Sequence, residues 1–230
     1  MPPSMRILQA RAEDLFGDAC VLRGYGVEKL STRQEAKTPD FRIRSQGEEL
    51  IAEVKSPGLE PQIQELMGSS SGSLWLKPGK RVRDLIRDSE DQLAAWASEV
   101  PKVVVICDLR HLLPKYPMYP LYGFNDADMA AGMFGETIFR CRVYDDRLIH
   151  NGPELGGNRT LRSNHYTHIS AVALHLVGRD FELGPFRVYH NPFAAHALPQ
   201  RWFRGSGDRH FELATENGEF VSRWEESCVV

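Results

Sequence analysis

The stretch Thr38–Ser56, T-P-D-F-R-I-R-S-Q-G-E-E-L-I-A-E-V-K-S, decides the fold. Before Gln46-Gly47, Phe41 and Ile43 alternate with Arg42 and Arg44. After it, Leu50, Ala52 and Val54 alternate with Ile51, Glu53 and Lys55. A two-residue period is that of β-strands, and a glycine in the short turn between two such runs predicts a hairpin. A turn centred on Gln46-Gly47 sets the register: Phe41 faces Ala52 and Ile43 faces Leu50. With Val54 these residues make one apolar face.

The same register puts Asp40 opposite Glu53 on the other face, with Lys55 further along. Opposed side chains in an antiparallel pair lie about 4.5–5.5 Å apart at Cβ, and two like charges so placed repel. A divalent cation between them removes the repulsion, and hard oxygen ligands suit magnesium. Lys55, about 6–7 Å along the strand from Glu53, can reach whatever that cation holds. Pro39 stands at the strand entry, where a missing N–H is tolerated.

Pro39-Asp40, then twelve residues, then Glu53-Val54-Lys55 resembles the signature of the PD-(D/E)xK phosphodiesterase superfamily, the restriction-endonuclease-like nucleases. The resemblance implies an α/β protein with a restriction-endonuclease-like core of helix, three-strand meander, helix and strand. It implies a magnesium-dependent hydrolase of phosphodiester bonds, with manganese able to substitute. Asp40, Glu53 and the main-chain carbonyl of Val54 would hold the metal. Glu13, on the leading helix, would complete the set, with Asp14 and Asp18 as rivals. Lys55 would orient or help deprotonate the attacking water. Further on, Gln92-Leu93-Ala94-Ala95-Trp96 is similar to the Q-x-x-x-Y element of the exonuclease branch, with Trp96 standing where tyrosine is usual. Gln92 would then orient the water or hold a phosphate. DNA is favoured over RNA, and endo- and exonuclease action both stay open. The alternative is a nuclease-fold protein that binds nucleic acid or a partner without cutting.

The chain on either side supplies that core. Met5–Arg23 carries Leu8, Ala12, Leu15, Phe16, Ala19 and Leu22 at three- and four-residue steps, which predicts a helix that ends at Gly24 and Gly26. Val27–Arg33 reads as the first strand of the meander, and Pro57-Gly58 stops the last one. Residues 59–79 read as a loop with a flexible Gly/Ser run. Lys80–Ser98 reads as a second helix with Val82, Leu85, Ile86, Leu93, Trp96 and Ala97 on its apolar stripe. Lys80, Arg81, Arg83 and Arg87, with Lys77 just before them, make its first half the local basic patch suited to phosphates. Asp84, Asp88, Glu90 and Asp91 can pair with several of these charges. Lys102–Leu109 is the near-continuous apolar run of a strand covered on both faces.

Residues 1–110 thus read as the nuclease-like core and 111–230 as a β-rich extension packed on it and lengthening the same sheet. Asp126–Phe134 reads as a short helix. Thr137–Tyr144, His168–Val177, Phe186–Tyr189 and His210–Ala214 read as strands, and Asn151–Asn164 as a loop. This half could serve specificity or oligomerisation, with a homodimer among the options.

Composition narrows the classes. A 230-residue chain with 42% hydrophobic and 26% charged residues is ordinary for a globular protein. A net charge of −3 gives no global basic excess, so any DNA contact must come from a local patch. Four scattered cysteines without a C-x-x-C pair argue against zinc and for a reducing, cytoplasmic compartment. No run reaches the roughly 18–20 apolar residues of a membrane span. His165, His168 and His175 make no metal set, and no nucleophile elbow or phosphate-binding loop appears.

Overall fold

The computed structural model describes residues 3–31, 37–58, 79–96, 99–112, 124–135, 137–144, 147–155, 159–178, 180–216 and 219–227. The fold grows from the Gln46-Gly47 turn. Both turn residues lie in the left-handed region, at φ 50° and 82°, as a two-residue hairpin turn requires. Strands β2 (Phe41–Ser45) and β3 (Glu48–Lys55) then pair antiparallel, with Phe41 opposite Ala52 and Ile43 opposite Leu50. Strand β1 (Gly26–Lys29) completes the meander on the outer side of β2, ending earlier than the expected Arg33.

The period-2 pattern sends alternate residues to two cores, one on each face of the sheet. Phe41, Ile43, Leu50, Ala52 and Val54 pack with Ala12, Leu15, Phe16, Ala19 and Cys20 of helix α1 (Pro3–Leu22). Ile51 joins Val82, Leu85, Ile86 and Leu93 of helix α2 (Lys80–Ala95) on the opposite face. Strand β4 (Lys102–Cys107) runs parallel to β3 and is buried throughout. Its Val103 and Val105 feed the α1 core, and Val104 and Ile106 the α2 core. A strand hidden on both faces accounts for its unbroken apolar run. The Lys102 ammonium is itself buried and donates to the carbonyls of Leu93 and Trp96, capping the end of α2.

Beyond β4 the chain adds helix α3 (Asp126–Phe134) and six strands: β5 (Thr137–Tyr144), β6 (Arg147–Leu155), β7 (Ala171–Val177), β8 (Leu183–His190), β9 (Arg209–Glu216) and β10 (Glu219–Glu226). All ten strands belong to one mixed sheet in the order β1-β2-β3-β4-β7-β8-β9-β10-β6-β5. The fold is therefore mixed α/β, and the second half extends the sheet of the first. Tyr189 ties the extension together: its ring stacks on Phe211 with centroids 4.9 Å apart, and its hydroxyl donates to Asp126 at 2.6 Å.

Several expectations need correction. Asn151–Asn164 is strand as far as Leu155, not loop, because Pro153 is accommodated at a register shift against β5. His168 precedes β7, which starts only at Ala171. Strand β10 was not expected at all. The Gly/Ser run at 68–73 and Lys77 lie outside the described residues. Among the described residues no helix is long and apolar enough to cross a membrane.

Helices α2 and α3 meet at glycines. A Cβ on Gly132 would fall 2.4 Å from Val82 Cβ, and one on Gly79 would fall 2.3 Å from the Gly132 nitrogen. Gly132→Ala is therefore expected to cost about 1–3 kcal/mol through overpacking. Thermal unfolding would show this as a fall in Tm of roughly 2–12 °C. An unchanged Tm would mean that the two helices do not close on each other as described.

Candidate active site

The site forms where β2 ends and β3 continues. Asp40 is the bend residue just before β2. With no further β2 residue to pair with Val54, the Asp40 carboxylate takes over, accepting the Val54 N–H at 2.8 Å through Oδ2. Glu53 sits one position earlier on β3 and is 2% exposed. Its Oε1 accepts two hydrogen bonds, from Lys55 Nζ at 2.6 Å and from Gln92 Nε2 at 3.0 Å. Its Oε2 is buried and has no hydrogen-bond partner among the described residues. A buried carboxylate oxygen without a partner is costly and calls for a ligand.

The electrostatics agree. Burial pushes the Glu53 carboxyl up to about 8, and the Asp40 charge pushes the same way, outweighing the pull of Lys55. Burial raises Asp40 to about 6, aided by Glu13 and opposed by the Val54 N–H, Lys55 and Lys29. The two acids therefore resist ionising together. Two hard oxygen donors, one of them orphaned, fit a divalent cation such as Mg2+ or Mn2+.

The remaining expected ligands are engaged elsewhere. The carbonyl of Val54 accepts a hydrogen bond from Gln9 Nε2 at 2.7 Å. Glu13 accepts from the same Gln9 nitrogen at 3.1 Å and pairs with Lys29 Nζ at 2.9 Å. Glu13 lies on α1, on the face of the sheet opposite α2, yet its charge still reaches Asp40. Among the described residues no group of three or more His, Cys, Asp or Glu side chains is arranged to hold a metal ion. Gln92 is brought to the site, but it grips Glu53. Trp96 follows the last residue of α2 and lies under the Arg42 guanidinium, 5.1 Å from the ring centre.

The basic turn of α2 lies beyond the site. Arg81 reaches towards the carbonyl of Gly58, three residues past Lys55. Lys80 pairs with Asp84 at 2.6 Å. Arg83 is half-buried, and Arg87 is exposed and acts on Tyr166. Lys80 is about 18 Å from Gln92 along the helix axis, whereas Arg87 is only about 7.5 Å from it.

Gln9 and Lys29 were not anticipated. The available signal was position alone: Gln9 is one helical turn before Glu13, and Lys29 pairs with Phe41, next to Asp40. The histidines make a separate arrangement. His190 Nε2 lies 2.8 Å from His210 Nδ1, so a single proton is shared and the pair cannot both be charged.

These shifts give a pH profile. Glu53 and Asp40 are raised in the fold, so the stability they give is complete below their unfolded values and is lost as pH rises through about 6 and 8. His175 and His190 are lowered by burial to about 4, and His168 and His210 are also lowered. The stability they give is lost as pH falls below the unfolded value, about 6.5. Metal-free protein is expected to show its highest Tm near pH 6.5, with the alkaline decline flattened in Glu53→Gln. A Tm that climbs steadily from pH 6.5 to 9 would contradict the raised Glu53.

No protein-family model matches this chain, and no curated protein or solved structure is significantly similar to it.

Proposed function

We propose that this protein is a metal-dependent nuclease of the PD-(D/E)xK class, built on a restriction-endonuclease-like core. The observation that carries the reading is the buried Glu53 with its unpartnered oxygen, set against Asp40 and flanked by Lys55. The order of α1, β1–β3, α2 and β4 is in keeping with that class.

In this reading Asp40 and Glu53 hold one Mg2+, which would lower the pKa of a bound water and offset charge on the phosphate. Gln92 fixes the rotamer of Glu53 through Oε1 and leaves Oε2 as the atom that would bind the cation. Lys55 supplies a fixed ammonium beside the scissile phosphate and orients the water. Burial keeps bulk water from screening these charges. Arg81, Arg83 and Arg87 steer the polymer backbone across the end of β3. DNA is the favoured substrate, in a cytoplasmic setting consistent with the free thiols of Cys20 and Cys107.

The test is nicking of supercoiled plasmid by the purified chain. Cleavage is expected with Mg2+ or Mn2+ and none with EDTA. Cleavage that persists in EDTA, or fails with every divalent cation, would sink the reading.

A further inference from the structure

Both oxygens of Glu13 are occupied, and the reason lies in the backbone. Val54 N–H is taken by Asp40, which leaves Val54 C=O and Ser56 N–H to be satisfied where β2 has ended. Buried main-chain groups must find partners. The Gln9 side-chain amide supplies them, donating to Val54 C=O at 2.7 Å and accepting from Ser56 N–H at 2.9 Å. One amide thus replaces the missing strand. Its remaining hydrogen goes to Glu13 Oε1 at 3.1 Å. The other oxygen, Oε2, faces Lys29 Nζ at 2.9 Å. Lys29 is positioned for this by the β1–β2 register, opposite Phe41 and beside Asp40, with its ammonium 5.8 Å from the Phe41 ring centre.

We propose that Gln9 and Lys29 keep Glu13 out of the metal shell, so that the site takes one divalent cation on Asp40 and Glu53, with the Lys29 ammonium as the second positive charge. This rests on the metal-dependent reading given above. Charge balance points the same way. Once Asp40 and Glu53 are ionised, they and Glu13 bring three negative charges against two from Lys29 and Lys55, and a single divalent cation reverses the sign of the site. A second cation would have to displace an ammonium already in place. Gln9 is a positioning residue in this scheme, since it acts through Glu13 and the β3 backbone.

Counting bound Mn2+ by calorimetry and electron paramagnetic resonance, at a pH above the Glu53 pKa, tests the proposal. Wild type is expected to bind one Mn2+ per chain. Lys29→Met, at a side chain 55% exposed and so tolerant of change, should release Glu13 and bind two. Lys29→Met/Glu13→Gln should return to one. Two Mn2+ in wild type, or one in Lys29→Met, would overturn the proposal while leaving the nuclease reading intact. No Mn2+ in wild type would overturn the nuclease reading itself, and this proposal with it.

Discussion

Lys55→Ala should leave a protein that folds and binds Mn2+ but cuts DNA roughly a thousandfold more slowly. Lys55 sits at the end of β3 with its side chain 16% exposed and its ammonium 2.6 Å from Glu53 Oε1. It is not part of either apolar core. Gln92 still holds Glu53, and Asp40 still takes Val54 N–H. In the proposed reading, what disappears is the fixed positive charge beside the scissile phosphate. Low dielectric makes that charge worth more than it would be in water. Lys55→Arg should rescue poorly, because a planar guanidinium cannot place its charge where the compact ammonium was. The check is a single-turnover nicking assay beside Tm and Mn2+ calorimetry on the same samples. A Lys55→Ala variant that nicks at the wild-type rate would remove the ammonium from the chemistry.

The second large effect concerns the fold. Asp208→Ala is expected to cost about 3–5 kcal/mol, a fall in Tm of roughly 6–20 °C for a chain of this size. The Asp208 side chain is 1% exposed. Its carboxylate accepts from Arg23 Nε at 2.8 Å, Arg23 Nη2 at 2.7 Å, Phe186 N–H at 2.6 Å and Gly205 N–H. It therefore locks the end of α1 to β8 and to the turn before β9. Arg23 also lies over the Phe186 ring, 4.6 Å from its centre. Truncation would leave a guanidinium that is only 12% exposed without its counter-charge. The double variant Arg23→Met/Asp208→Ala should lose less than the sum of the two single variants, because they share one interaction. Chemical or thermal denaturation measures both, and additive losses would mean that the pair is not coupled.

The hairpin was legible because its register needs only a two-residue period and one turn, both local. Helix α3 was equally legible, starting at Asp126 behind the capping residue Asn125, whose side chain accepts the Asp128 N–H. Strand β6 was hidden by Gly152 and Pro153, residues that usually break strands. Strand β10 was hidden by Glu219, Arg223, Glu225 and Glu226, which give it no apolar alternation. In the site, Asp40, Glu53 and Lys55 could be placed from that same register. Gln92 could be singled out, but its bond to Glu53 depends on how α2 lies across β3. Gln9 and Lys29 were out of reach for the same reason. Gln9 meets a backbone 45 residues away, and nothing local to α1 records that β2 ends where it does.

The account stands most directly on calorimetric titration of wild type and Glu53→Gln with Mn2+, at a pH above the Glu53 pKa. Wild type should give a saturable heat, since both acids are ionised at that pH and ready to hold the cation. Glu53→Gln should give none, and without metal should melt at a higher temperature, because ionising a buried carboxyl whose pKa is raised to about 8 opposes folding. Equal heats in the two proteins, or none in either together with an unchanged Tm, would mean that no cation belongs between Asp40 and Glu53.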